Sequence, residues 1–262
     1  MEKNHNARFI KPMECLPVEK VPEGDNWTYE LKLDGYRLQA VKAGGKVILY
    51  SRRGIDLTKR FPHVARALAS LPDDTVIDGE LVALDEEGKP NFNLLQNFRS
   101  ADSHIVFYAF DILIYKGHDL KQLPLSKRRA ILATAIEPSD HVGLSYVSDK
   151  TAAQMLSFVR SHGIEGVVAK KADSVYQAGL RTGVWTKTRI NLGQTSRPGA
   201  GGGHRTLPVA SRRESRRAAS VFRRSRGGSR FALPSSGLWR RSARDGRLQS
   251  LQTARVDDSP VP

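Results

Sequence analysis

Residues 26–41 read "NWTYELKLDGYRLQAV", two runs of strand-like alternation separated by Asp34 and Gly35. In the first run Trp27, Tyr29, Leu31 and Leu33 share one face and Thr28, Glu30 and Lys32 the other, the pattern of a half-buried strand. The "DG" pair ends that strand and leaves Asp34 at its rim. A second strand is expected over residues 37–42 and a third over 46–51, joined by the "AGG" turn. A lysine and a glutamate on the polar face of a strand whose other face is buried fit the wall of a cleft. They also fit an ordinary hairpin with a solvated charged face, and the short string alone does not decide between the two.

Outward from this stretch the chain is patterned as far as residue 194. Phe61, Val64, Ala65 and Leu68 recur at helical spacing and predict a helix over 59–70. "TVIDGELVAL" (75–84) and "IVFYAFDILIY" (105–115) read as strands, the latter apolar on both faces and therefore buried. A helix over 126–136 precedes a strand near 142–147. Ala152, Met155, Leu156 and Val159 give a further helix, with Ser148 or Asp149 as its expected cap. Strands "GVVAKK" (166–171) and "GVWTKT" (183–188) close the patterned region. The order is that of an α+β domain of antiparallel sheets with flanking helices, and no strand-helix-strand repeat calls for a parallel doubly wound sheet.

Composition divides the 262 residues in two. Hydrophobic residues make up 39%, enough for a core, and the single cysteine, Cys15, rules out an internal disulfide framework and suits a reducing compartment. No secretory signal is evident in "MEKNHNARFIK", and the apolar run 105–114 is too short to cross a bilayer as a helix, so no membrane is expected. The net charge is +15, yet residues 1–194 carry only +4 of it and residues 195–262 carry +11. All 15 basic residues after 194 are arginine, and the same segment lacks Lys, Ile, Asn and Tyr altogether. With no sustained period of 2 or 3.6, residues 195–262 are expected to be a disordered Arg/Ser/Gly-rich tail. It reads as a nucleic-acid-binding arm, a solvated tail, or the product of an out-of-frame reading of a G/C-rich gene. The joint loss of residues with A/T-rich codons favours the last.

What separates the cleft from the hairpin is the ordered company of the first motif. "KLDGYR" (32–37) is followed by "SRRG" (51–54), "DGEL" (78–81), "FYAFD" (107–111), "EGVVAK" (165–170) and "WTKTR" (185–189). In this order and at these spacings the set resembles the nucleotidyltransferase domain of ATP-dependent DNA ligases. "FIKPM" (9–13) and "PEGDNW" (22–27) are similar to the lead-in of ligase modules of bacterial end-joining enzymes. The resemblance covers residues 9–194 and implies an ATP-grasp-like covalent nucleotidyltransferase fold in a cytoplasmic, nucleoid-associated bacterial protein.

The resemblance also implies roles, residue by residue. Lys32 would attack the ATP α-phosphate, forming a lysyl-AMP phosphoramidate and releasing pyrophosphate. An ammonium has no lone pair, and an amine at the ordinary lysine pKa of about 10.4 is under ~0.1% neutral at pH 7, so cations or a metal must assist. Lys170 and Lys187 would supply that charge while holding the α-phosphate. Glu30 would read the adenine amino group and Phe110 would stack on the base, unless Phe110 only packs the core. Arg37 and Glu80 would lie near the ribose, and Arg52 would touch phosphate or the bound nucleotide. Glu165 is the first candidate for Mg²⁺ or Mn²⁺, with Asp34 and, more weakly, Asp78 beside it. The histidines show no metal-ligand spacing.

Two features depart from the family's pattern. Arg189 stands where a second lysine is usual, keeping the charge but not its point geometry. After "INLGQ" the alternating strands of the family's oligonucleotide-binding barrel do not follow. The expected function is an ATP-dependent DNA ligase sealing 5′-phosphate/3′-hydroxyl nicks in repair, impaired by the missing barrel. Its expected partners are nicked duplex DNA and DNA end-binding repair proteins, and it is expected to be a monomer. The alternatives are an RNA ligase or capping-type nucleotidyltransferase, or an inactive remnant that only binds nucleic acid.

Overall fold

The computed structural model describes residues 7–86, 88–98 and 104–190. The expectations for residues 195–262 lie outside the described residues. Eleven strands and four helices are described: β1 (Leu16–Pro17), β2 (Trp27–Lys32), β3 (Tyr36–Ala43), β4 (Lys46–Ser51), α1 (Pro62–Ala67), β5 (Thr75–Leu84), α2 (Phe92–Gln96), β6 (His104–Tyr115), β7 (His118–Asp119), α3 (Leu125–Ala135), β8 (Val142–Leu144), β9 (Val147–Ser148), α4 (Ala152–Ser161), β10 (Gly166–Lys171) and β11 (Trp185–Arg189). They form two sheets, one ordered β1-β11-β10-β2-β9 and the other β4-β3-β5-β6-β7 with β8 against β6.

Pairing is antiparallel except for β1 with β11 and β8 with β6, which are parallel. The antiparallel expectation gives way at both, and for the second pair the reason is that α3 carries the chain back over the sheet before β8 begins. The helices α1, α2 and α3 contribute to a core centred on Leu38, Leu49, Phe61, Ile77, Phe107 and Leu132, all nearly inaccessible to solvent. A smaller cluster under α4 joins Tyr29, Met155, Val159 and Val167 on the apolar side of β2 and β10.

The opening stretch is where the chain changes sheets. β2 lies in the first sheet and β3 in the second, and Gly35 sits at the crossing with its α-carbon so close to β5 that a Cβ would lie 2.3 Å from the Leu81 carbonyl oxygen. Glycine is required there for close approach. Lys32 is therefore the last residue of a strand that ends at the seam between the sheets. The strand expected over 142–147 is a second crossing. It divides into β8 in the second sheet and β9 in the first, with Ser145 and Tyr146 spanning the seam and Ser145 N donating to Ala109 O (2.8 Å).

Other boundaries move for local reasons. The helix expected over 59–70 is only Pro62–Ala67, because proline lacks an N–H and fits the first turn, and residues 56–60 are instead held to β4 by Leu57 N to Leu49 O (2.8 Å) and Leu49 N to Thr58 Oγ1 (2.9 Å). α4 is capped by Thr151 in a reciprocal capping box with Gln154, not by Ser148 or Asp149, since Ser148 belongs to β9. The apolar strand β6 contains one fully buried charge, Asp111, which accepts two hydrogen bonds from the equally buried Arg128 of α3 at 2.8 and 2.9 Å. Among the described residues no helix is long and apolar enough to cross a membrane.

Candidate active site

Between the two sheets lies a cleft of about 750 Å³, into which every expected site residue except Glu165 and Asp78 opens. Glu165 stands immediately behind Lys32. β2 and β10 pair so that Lys32 faces Gly166, and a Cβ on Gly166 would lie 2.0 Å from Thr188 O, which is why the glycine of "EGVVAK" is needed. Lys32 Nζ donates to Glu165 Oε2 in a close ion pair, and Arg189 Nε reaches Glu165 Oε1 at 3.0 Å. The glutamate is thus a bridge between the end of β2 and the end of β11.

Lys187 is on the cleft side of β11, opposite Val168 of β10. Burial, and then the positive charge of Lys32, push its ammonium below the usual lysine range. Three carboxylates, Glu165, Asp34 and Glu80, act on Lys32. Burial and the negative charge of Glu165 raise the Asp34 carboxyl, and burial pushes Glu80 up to about 7 against the pull of Arg37 and Lys32. Carboxylates that raise one another in this way are suited to share a cation. Glu165 and Asp34 would hold a divalent ion only with oxygens of a bound phosphate, because among the described residues no group of three or more His, Cys, Asp or Glu is arranged as a metal site. Asp78 has no such part. It is fully buried, and its two oxygens take Arg37 Nε and Nη2, both at 2.7 Å, together with the Tyr176 hydroxyl at 2.6 Å.

Deeper in the cleft, Glu30 is 3% exposed and is met by three polar partners. Lys170 Nζ lies 2.8 Å from Oε1, Arg129 Nη1 donates to the same oxygen at 3.1 Å, and Ser145 Oγ donates to Oε2 at 2.9 Å. Burial opposes ionisation, but Lys170 and Arg129 outweigh it and hold the carboxyl below its usual range. The Lys170 ammonium approaches Glu30 off the hydrogen-bonding direction, so the contact is ionic, and its other near neighbours are the faces of Phe110 and Trp185, 4.1 and 4.6 Å to the ring centroids. Burial lowers its affinity for a proton. Phe110 is 8% exposed and packs edge-on against Trp185, with the Arg37 guanidinium 4.7 Å from its ring centre. It is at once a core residue and part of the cleft wall.

At the mouth, Arg52 pairs with Glu14, which also pairs with Arg181. The residues that sequence reasoning missed are these last two, with Arg129 and Ser145 around Glu30. Arg129 had a readable signal: α3 carries adjacent arginines in "SKRRAIL", and both turn toward the protein interior, where polar groups need partners.

Comparison with known proteins agrees with this geometry. Residues 12–189 match the family model described as ATP dependent DNA ligase domain. The multifunctional non-homologous end joining protein LigD of Pseudomonas aeruginosa is 38% identical over 191 residues, covering 71% of this chain and 22% of that protein. The SPbeta prophage-derived DNA ligase-like protein LigB of Bacillus subtilis is 31% identical, covering 71% of this chain and 69% of that protein. The chain thus spans about a fifth of the LigD proteins it matches. Among solved structures, a mycobacterial DNA ligase D complexed with ATP and MES superposes with a TM-score of 0.59 at 34% identity, over 69% of this chain and 60% of that one. On its motifs, its two-sheet fold and these matches, the chain belongs to the ATP-dependent DNA ligase family.

Proposed function

We propose that this chain carries out the nucleotidyl-transfer chemistry of a DNA ligase, with Lys32 as the nucleophile that takes AMP from ATP and passes it to a DNA 5′-phosphate. The carrying observation is the position of Lys32 at the seam of the two sheets, with its amine paired to the Glu165 carboxylate and its charge felt by the Lys187 ammonium. Attack on the α-phosphate forms the N–P bond, breaks the bond to pyrophosphate and releases a proton from the amine. Glu165 is positioned to take the first proton from the ammonium, which frees the lone pair for attack, and the second proton, released from the nitrogen as the N–P bond forms, leaves through the open cleft to solvent. Lys187, its proton affinity already lowered, and Lys170 are the cations that meet the charge growing on the phosphate. A divalent ion held by Glu165 and Asp34 with phosphate oxygens would neutralise charge on the nucleotide.

Glu30, held ionised and accepting only, suits the amino group of adenine, and Phe110 supplies an aromatic wall to the base. Arg37, fixed by Asp78, and Glu80 would face the ribose. The DNA acceptor would be a nicked duplex, and because relatives carry the name of non-homologous end joining proteins, we place the chain in end repair with DNA end-binding partners.

Incubation with α-³²P-labelled ATP and a divalent ion tests the reading. Wild type and Lys171→Ala should take up covalent label, since Lys171 lies over the Trp27 ring on the far side of β10. Lys32→Ala should take up none. Label on Lys32→Ala equal to wild type would remove Lys32 from its role.

A further inference from the structure

Outside the cleft, three of the five histidines among the described residues stand together. His63 lies on α1, His104 opens β6 and His141 stands one residue before β8, so no spacing in the sequence relates them. The ring centres of His63 and His141 are 4.6 Å apart with 54° between their planes, and those of His104 and His141 are 6.1 Å apart. None of the three lines the cleft. Their backbones are set by the fold. Val64 beside His63 and Val142 beside His141 are buried in the core under the second sheet, and Phe107 N donates to His141 O (2.9 Å).

The ring nitrogens are unequally occupied. His104 Nε2 meets Asp140 O at 2.6 Å, and His141 Nδ1 meets Ile105 O at 2.9 Å. A carbonyl only accepts, so the His141 ring donates from Nδ1 and, when neutral, keeps its lone pair on Nε2. A ring N–H on a backbone carbonyl is also the contact that orients metal-bound imidazoles. His63 Nε2 is shut off from solvent and has no hydrogen-bond partner. A buried polar atom left in this way calls for a bound water or ion. Burial, then the charges of His141 and Arg66, lower the affinity of His63 for a proton and favour the neutral ring, the form that binds metal. Two imidazoles that share one ion at about 90–110°, with metal–nitrogen bonds of about 2.0–2.1 Å, have ring centres roughly 4.5–5.3 Å apart. The observed 4.6 Å falls in that range, and the tilt between the planes is not that of a parallel stack.

We propose that His63 and His141 form a two-histidine site for a nitrogen-seeking divalent ion, Zn²⁺, Ni²⁺ or Cu²⁺, with water completing its shell, and that the ion clamps α1 to the turn leading into β8. Imidazole suits these ions, whereas Mg²⁺ takes oxygen ligands, so the site is chemically separate from the one Glu165 and Asp34 would share with phosphate. Two protein ligands make a weaker site than the four of structural zinc. His104 stays outside the pair, tied to the Asp140 carbonyl. The inference does not depend on the ligase reading.

The full-length chain, without nucleotide or DNA, is titrated with Ni²⁺ while its melting temperature is followed, and with Cu²⁺ while its electron paramagnetic resonance spectrum is recorded. Ni²⁺ should raise the melting temperature of wild type by a few degrees, increasingly with concentration, because the ion binds only where α1 and the turn are both in place. The rise should vanish as the pH falls below about 6, where protons compete for the imidazoles. His63→Ala and His141→Ala should each weaken the site by about tenfold or more, and the double variant should lose it. His162→Ala, at the exposed end of α4, should behave as wild type. The Cu²⁺ spectrum should show splitting from two nitrogens in wild type and from one in either single variant, a readout that loss of packing alone does not produce. A melting-temperature rise that persists in the double variant, or a Cu²⁺ spectrum unchanged by both single substitutions, would overturn the proposal and leave a buried water as the partner of His63.

Discussion

The chemistry of this cleft is set by how single side chains are charged, and Glu80 offers the most direct handle. Its carboxyl titrates near 7 because it is poorly hydrated, although Arg37 and Lys32 draw it down. The ordinary glutamate value is 4.5, so in the window between 4.5 and about 7 the unfolded chain has given up a proton that the folded chain still holds. A raised carboxyl stabilises the fold at low pH and loses that contribution as the pH rises through the window, by up to about 3 kcal/mol. Glu80→Gln cannot titrate. The melting temperature of wild type relative to Glu80→Gln should therefore fall between pH 4.5 and 7 and stay level above it, and parallel curves over the whole range would show that Glu80 is ordinarily hydrated. At this scale the sequence was legible where a residue sits in a motif: Glu30, Lys32, Arg37, Arg52, Glu80, Phe110, Lys170 and Lys187 converge on one cleft. It was silent where the partner is remote. Nothing in the spacing of Glu14 and Arg181, 167 residues apart, relates the two, because such pairs are made by the fold and not by periodicity.

Elements with strong alternation were read almost to the residue, as β5 over 75–84 and β10 over 166–171 show. Elements held by caps and crossings were not. α2 has five residues and exists because Asn91 Oδ1 accepts from Asn93 N and Leu94 N, and the β8–β9 divide exists because the chain changes sheets at Ser145. The buried pair that joins β6 to α3 makes a prediction at this scale. Asp111 and Arg128 are both inaccessible, and Arg128 Nη1 also donates to the carbonyls of Leu123 (2.5 Å) and Ser174 (3.0 Å), so it ties α3 to the segment after β10. Arg128→Met should cost about 3–5 kcal/mol, since it strands a buried carboxylate. The double variant Arg128→Met with Asp111→Leu should recover a large part of that loss, because a paired charge has been replaced by packed apolar groups. Chemical denaturation of the three proteins decides it, and a double variant less stable than Arg128→Met would show that Asp111 supports β6 in its own right, through the bond from Ile112 N to its Oδ1 (2.9 Å), and not only through the ion pair.

For the whole molecule, charge and chemistry are separable along the chain. The residues that line the cleft all fall between Pro12 and Arg189, whereas +11 of the net +15 belongs to residues 195–262. Attraction to DNA phosphates grows with the number of cations that displace counterions, and weakens steeply with salt in proportion to that number. The lysine adenylation proposed for this chain would have no such dependence, since the cations proposed for it, Lys170 and Lys187, lie inside the cleft. A chain ending at Gln194 should therefore take up AMP from ATP at nearly the rate of the 262-residue chain, while its affinity for duplex DNA falls at low salt and its salt dependence becomes shallower. Labelling with α-³²P-ATP and DNA titrations at several salt concentrations measure the two properties on the same pair of proteins. If adenylation collapses with the truncation, residues 195–262 hold the pyrophosphate or the nucleotide, and the division of labour drawn from composition is wrong. If the salt dependence is unchanged instead, the DNA-binding cations lie in the cleft-bearing region, where Arg52, Arg181, Lys187 and Arg189 already face the mouth.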